Sequence, residues 1–148
     1  MAKVGIFVGT VYGNSLFVAE EVKLVLMTQG HQVVIFEDGN FEQWKIYSNR
    51  VILIITSTTG QGSLPNNIIP LFQQIKNTLE RQILLRYGII ALGDKNYDTF
   101  CNAGHIFDVL LQKKDATRVG NLIKIDTLEH PDSSAIACSW ARKWNVLL

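Results

Sequence analysis

The chain has 148 residues, 47% hydrophobic and 18% charged, with a formal net charge of +1. That length supports one domain with a substantial core, and the composition excludes a disordered chain. No apolar run approaches the ~20 residues of a membrane span, no basic block points to nucleic acid, and two cysteines (Cys101 and Cys138) are too few for a disulfide scaffold.

The N-terminus enters a strand-like segment directly, without signal-peptide anatomy, and with cysteines too few for a scaffold and without metal-ligand spacing a reduced, cytoplasmic setting is the expected default. The first predicted strand is Lys3 to Gly9. A helix from about Asn14 to Gln29 follows, with Val18, Val22 and Val25 on one face and Gly30 as its stop. The second strand is Gln32 to Glu37, and a loop or short helix at Phe41 to Tyr47 leads to the third. That strand, Val51 to Thr56, is continuously apolar, as expected of a central strand covered on both faces. A helix near Asn66 to Leu79 contains Pro70, which is expected to kink its first turns. The fourth strand is Arg86 to Leu92, the next helix Asn102 to Lys113, and the fifth strand Val119 to Asp126. A last helix, roughly Asp132 to Val146, sets Ile136, Trp140 and Trp144 on one stripe expected to be core. Strands alternating with helices predict an α/β three-layer sandwich with a five-stranded parallel sheet. No linker or repeat interrupts residues 1–148, so one domain is expected. The pattern does not dictate strand order; 2-1-3-4-5 is expected because ligands then gather where strands one, three and four end.

Three loops follow those strand ends. The first is Gly9-Thr10-Val11-Tyr12-Gly13-Asn14-Ser15, where hydroxyls and an amide crowd a helix entrance whose free N–H groups attract phosphate. It is not a nucleotide P-loop: Gly9 and Gly13 are one residue too close, and Asn14 stands where lysine is required. Without lysine or a magnesium carboxylate, it suits a terminal monophosphate. The same residue types also cap helices, and this loop alone does not separate the two roles. The second loop, Thr56-Ser57-Thr58-Thr59-Gly60-Gln61-Gly62-Ser63-Leu64-Pro65, joins four hydroxyl residues to two glycines that let backbone approach a flat ligand. A lone Gly-x-Gly is also an ordinary turn. The third, Gly93-Asp94-Lys95-Asn96-Tyr97-Asp98-Thr99-Phe100-Cys101, sets an aromatic among turn formers, where it is either a ligand contact or a surface tyrosine.

Taken together, these loops resemble the short-chain flavodoxins, most closely the small bacterial proteins related to the FMN domain of the sulfite reductase flavoprotein. The likeness spans essentially the whole chain. Its diagnostic parts are Thr56 to Pro65 and the run Ala91-Leu92-Gly93-Asp94 with Tyr97. The resemblance implies an FMN-binding electron carrier, with Thr10, Val11, Tyr12, Gly13, Asn14 and Ser15 holding the phosphate. It implies that Ser57, Thr58 and Thr59 line the ribityl chain and ring edge, with Gly60 beside the flavin N5 and Gln61 and Gly62 completing that loop. Tyr97 would stack on the ring. The backbone of Gly93, Asp94, Asn96, Phe100 and Cys101 would meet the pyrimidine edge. The chain departs from the family in three ways. Thr59 replaces an inner aromatic, Ser63 stands where an acid is usual, and the net charge is near neutral rather than strongly acidic.

The implied role is a monomeric carrier with no catalytic residue or metal, passing single electrons from a flavoprotein reductase to an acceptor enzyme the sequence does not name. The competing reading is an FMN-dependent NAD(P)H or quinone oxidoreductase, which needs a second cleft. A receiver domain is excluded, because Gly9-Thr10 and Thr56 stand where its acids belong. His31, His105 and His130 match no metal template, and Lys113-Lys114 at a helix end most simply favours the dipole there.

Overall fold

A computed structural model describes residues 1–148. Strands β1 (Lys3–Gly9), β2 (Gln32–Phe36), β3 (Val51–Ser57) and β4 (Arg86–Gly93) are parallel, and the fifth position is shared by β5 (Thr117–Arg118) and β6 (Ile123–Asp126). Both short strands pair with β4, so the order is 2-1-3-4-5, as expected. Helices α1 (Asn14–Thr28), α2 (Phe41–Tyr47), α3 (Ile69–Asn77), α4 (Asn102–Lys113) and α5 (Ser133–Trp144) make the connections.

Alternation along the central strands divides the core in two. Val4, Ile6, Val8, Leu53, Ile55 and Ile90 face α1 and α5. Phe7, Ile52, Ile54, Ile89 and Ala91 face α2, α3 and α4, where Trp44, Phe72 and Phe107 are buried. Covered on both faces, β3 is buried from Val51 through Thr56, which is why its sequence is apolar without a break. Helix α1 stops where Gly30 turns to φ 91° and donates its N–H to Met27 O at 3.0 Å.

Three expectations need correction. Pro70 does not kink α3. The helix begins at Ile69, and Pro70 occupies its first turn, where a missing N–H leaves no bond unmade. The fifth strand is not continuous from Val119: Arg118 lies opposite Tyr87 and Ile123 opposite Ile90, so the edge carries two extra residues, and Gly120 takes φ 72°. The last helix ends at Trp144, and Asn145–Leu147 tighten into a 3₁₀ turn.

The excursion at the fifth strand is held by the two tryptophans of α5. Trp144 Nε1 donates to Val119 O at 2.9 Å and Trp140 Nε1 to Asn121 O at 3.1 Å. Trp144 is core, whereas Trp140 is half-buried and stacks on it with centroids 5.2 Å apart. Beneath this pair, Gly88 of β4 has no side chain because Trp144 fills the space; a Cβ there would lie 2.8 Å from the indole ring. With the indole anchored, Gly88→Ala is expected to overpack this layer by about 1–3 kcal/mol. Circular-dichroism melts should show a midpoint several degrees lower, since ~1 kcal/mol moves a domain of this size by about 2–4 °C. An unchanged midpoint would mean that the indole yields freely.

Candidate functional site

Where β1, β3 and β4 end, their three loops enclose a cavity of about 350 Å³. It is lined by Val11, Tyr12 and Asn14 from the first loop, Ser57, Thr58, Thr59 and Gly60 from the second, and Gly93 and Asp94 from the third. Its volume lies in the range of small-ligand sites, and its place is where a parallel sheet reverses winding direction. Leu92 and Thr127 complete the wall. Thr127 had no signal in the sequence; its Oγ1 donates to Gly93 O at 3.2 Å, and so it arrives through the pairing of β6 with β4.

One end of the cavity is the entrance to α1. Gly13 takes φ 86° at the N-cap, no side chain caps the helix, and its first turn contains no acid. The N–H groups of Asn14, Ser15 and Leu16 therefore have no acceptor within the chain. Thr10 Oγ1 accepts from Gly13 N at 2.7 Å, which leaves the Thr10 hydroxyl hydrogen free to donate. Ser15 is fully buried; its Oγ lies 2.6 Å from Ser57 Oγ and meets the cavity only through that hydroxyl. The pair shares two hydrogens and uses one between them, so one donor remains. These unused neutral donors, gathered at the positive end of a helix dipole, suit a phosphate.

The sequence did not single out Asn67. Its carboxamide accepts from Thr10 N at 2.9 Å and donates to Val8 O at 2.8 Å and Glu37 O at 2.6 Å. It thus ties the first loop to the ends of β1 and β2 from a turn just before α3. Partners 30 and more residues away in the chain leave no local pattern that could reveal it.

The second loop is a tight turn. Thr59 N donates to Ser63 O, Gly62 N to Thr59 O, and the Thr59 and Ser63 hydroxyls lie 2.7 Å apart. Gly62 holds φ 84° against Thr99, whereas Gly60 has no positive φ and open space on its Cα, the nearest atoms being those of the Tyr97 ring. Tyr97, 52% exposed, is outside the main cavity and lines a side recess of about 40 Å³ with Phe100 and Cys101. Thr10, Gly13, Ser15, Gln61, Gly62 and Asn96 line neither space. Thr10, Gly13, Ser15 and Gly62 shape the loops, while Gln61 is an exposed side chain and Asn96 N bonds Asp94 Oδ1.

Cys101 adopts φ 56° at the start of α4, and its thiol donates to Ala91 O at 3.3 Å. Burial pushes that thiol up to about 11, so it stays protonated at neutral pH. The net charge of +1 conceals a segregation along the sheet axis. The loops around the cavity carry Glu37, Asp38, Asp94, Asp98, Glu129 and Asp132 against the single cation Lys95, whose Nζ lies 3.6 Å from Glu129. Acidic character, which composition had argued against, is present locally.

Comparison with known proteins identifies the family. The family model described as Flavodoxin matches residues 6–140. Flavodoxin YqcA of Escherichia coli is 51% identical over all of this chain and 99% of its own length. The sulfite reductase [NADPH] flavoprotein alpha-component of Aliivibrio fischeri is 30% identical across 95% of this chain, which spans 23% of that longer protein. Among solved structures, the C101A mutant of flavodoxin from Pseudomonas aeruginosa superposes with a TM-score of 0.92 at 28% identity, covering 99% of this chain and 98% of that one. A doubly wound sheet, a family match over residues 6–140 and a relative 51% identical over the whole chain lead to one conclusion: the chain belongs to the flavodoxin family.

Proposed function

We propose that residues 1–148 form a single FMN-binding unit that carries electrons between a flavoprotein reductase and an acceptor enzyme and turns over no substrate of its own. The observation that supports this most is the uncapped entrance to α1, opening into the same cavity as the second and third loops. Its donors are neutral and few, which fits one monophosphate and gives no second phosphate site for FAD. Thr10, Asn14, Ser57 and the first N–H groups of α1 would hold the phosphate. Thr58, Thr59, Gly60 and the Gly93-Asp94 backbone would border the flavin, with Tyr97 placed to cover one face. FMN, once bound, supplies one-electron redox chemistry; the protein's part is to set hydrogen bonds and charge around it. Related proteins described as flavodoxins, and a Fusobacterium nucleatum flavodoxin described as bound to flavin mononucleotide, are consistent with the assignment.

No helix is long and apolar enough to cross a membrane. Two free buried thiols fit a reducing, cytoplasmic setting, which completes the reading together with a monomeric state. The absorption spectrum of the purified protein tests it: a flavin chromophore released as FMN is expected, and FAD, or a colourless chain that ignores added FMN, would overturn it. Steady-state NAD(P)H oxidation by the holoprotein tests the carrier role against the quinone-reductase alternative, and turnover without a separate reductase would favour the latter.

Asn67 belongs to this reading as a positioning residue. Asn67→Ala removes the bond to Thr10 N and the two that anchor the carboxamide on Val8 O and Glu37 O, and FMN is expected to weaken about tenfold while riboflavin changes little. Isothermal titration with both ligands reads the ratio, and equal losses would reduce Asn67 to a purely structural tie.

A further inference from the structure

The end of the sheet opposite the cavity carries a patch that the proposed function does not use. The segment between α3 and β4 exposes three large aliphatic side chains within six residues: Leu79 at 98%, Ile83 at 59% and Leu84 at 72%. Scattered surface leucines are ordinary, but a cluster confined to one short loop marks an interaction site. Beside it, Ser48 and Asn49 face residues 80–84 across a recess of about 270 Å³.

The surroundings are basic. Arg50 and Arg86 are backbone neighbours, Arg86 N donating to Arg50 O at 3.2 Å, and Lys3 and Arg50 immediately precede Val4 and Val51, the first partners of β1 and β3. All three are exposed, and none has an ion pair. Because the helices run opposite to the strands, Lys76 and Lys113 in the last turns of α3 and α4 point to the same end. The acids there are few: Asp115 is bound to Arg81, and Glu80 lines the recess. A nearly neutral chain is therefore bipolar, with carboxylates around the cavity and cations ~25 Å away at the other end of seven- and eight-residue strands.

We propose that this end, centred on Ile83 and Leu84 and flanked by Arg50 and Arg86, docks an acidic protein surface that lays an apolar side chain against the Ile83–Leu84 wall of the otherwise polar recess, while the cavity stays free. Charge complementarity selects the partner's sign, and the recess selects its class. A bilayer offers no protruding side chain to fill a concavity. The loop also has no aromatic group on which a nucleobase could stack. A second copy would bring its acidic end, covering its own cavity in a head-to-tail contact that does not close. Docking here would hold the carrier from behind and leave its acidic face to meet electron-transfer partners.

The test is an amide NMR titration of the full chain, in 0.15 M salt, with an N-acetylated peptide of sequence Glu-Leu-Leu-Glu-Glu-Leu-Leu-Glu. Shifts are expected at residues 48–50 and 79–86 and not around the cavity. Arg50→Glu with Arg86→Glu, and separately Ile83→Ser with Leu84→Ser, are each expected to weaken binding tenfold or more. Shifts spread over all lysines, or full binding by the serine variant, would show mere charge attraction and overturn the proposal. Tighter binding of phosphatidylglycerol vesicles or polyuridylate to the same loop would overturn it in favour of a membrane or RNA. A concentration-dependent rise in mass that Leu84→Ser abolishes would identify a second copy instead.

Discussion

Asn14→Asp is expected to weaken FMN on the order of a hundredfold while leaving the ligand-free fold as stable as before or slightly more so. Asn14 is the first residue of α1, beyond the Gly13 N-cap, and its side chain lines the cavity. A carboxylate in the first turn interacts favourably with the helix dipole, by about 0.3–1 kcal/mol. The same carboxylate opposes a phosphate at that helix end. Unit charges ~4 Å apart repel by about 1 kcal/mol in water and about 4 at an effective dielectric of ~20, and a phosphate dianion doubles the effect. The substitution thus pushes stability and binding in opposite directions, which general damage to the loop would not do. Riboflavin has no phosphate and should bind the variant nearly as well as the wild type. Asn14→Ser, which keeps a neutral donor, should restore most of the FMN affinity. Fluorescence titrations with both flavins, beside thermal melts of the apoprotein, read all three quantities. An equal loss of riboflavin, or an unchanged FMN affinity, would mean that phosphate binds elsewhere.

Most of the scaffold was legible because local chemistry and tertiary placement agree. The apolar run Val51 to Ile55 and the stop at Gly30 each follow from one local rule, and the fold satisfies that rule without distortion. The misread pieces have nonlocal causes. Pro70 is harmless because the preceding turn, anchored through Asn67, makes Ile69 the first residue of α3. The break in the fifth strand is possible because tryptophans about 20 residues later donate their indole N–H groups to the exposed carbonyls. At the site, loop residue types pointed to the right strand ends, since a parallel sheet gathers its ligand loops there. Which side chains line the space and which brace it, as between Ser57 and Ser15, depends on burial that no spacing encodes. Charge was misleading for the same reason: a sum of +1 says nothing about two ends of opposite sign.

The two glycines of the second loop should fail in different ways when replaced. Gly62→Ala is expected to destabilise the apoprotein by several kcal/mol. A non-glycine residue in the left-handed region costs about 1–2 kcal/mol, and the new Cβ would lie 2.6 Å from Thr99 Cγ2, against a side chain with little room to turn. Gly60 has neither constraint: its φ is not positive, and the nearest neighbour of a Cβ would be Tyr97 at 3.8 Å. Gly60→Val should therefore leave the apoprotein melt within about a degree of wild type. Its effect belongs to the redox cycle. If the peptide at Gly60 turns its carbonyl toward the cofactor on the first reduction, the backbone must enter a region that glycine takes cheaply and valine does not. The first reduction potential should then fall and the second rise, narrowing their separation, with oxidised FMN bound about as tightly as before. Spectroelectrochemical titration of both variants, paired with apoprotein melts, separates the two outcomes. If Gly60→Val lowers the apoprotein midpoint as much as Gly62→Ala does, the resting conformation at position 60 is not the one described. If its melt and both potentials are unchanged, Gly60 does not turn, and the potentials are set by charge around the cavity instead.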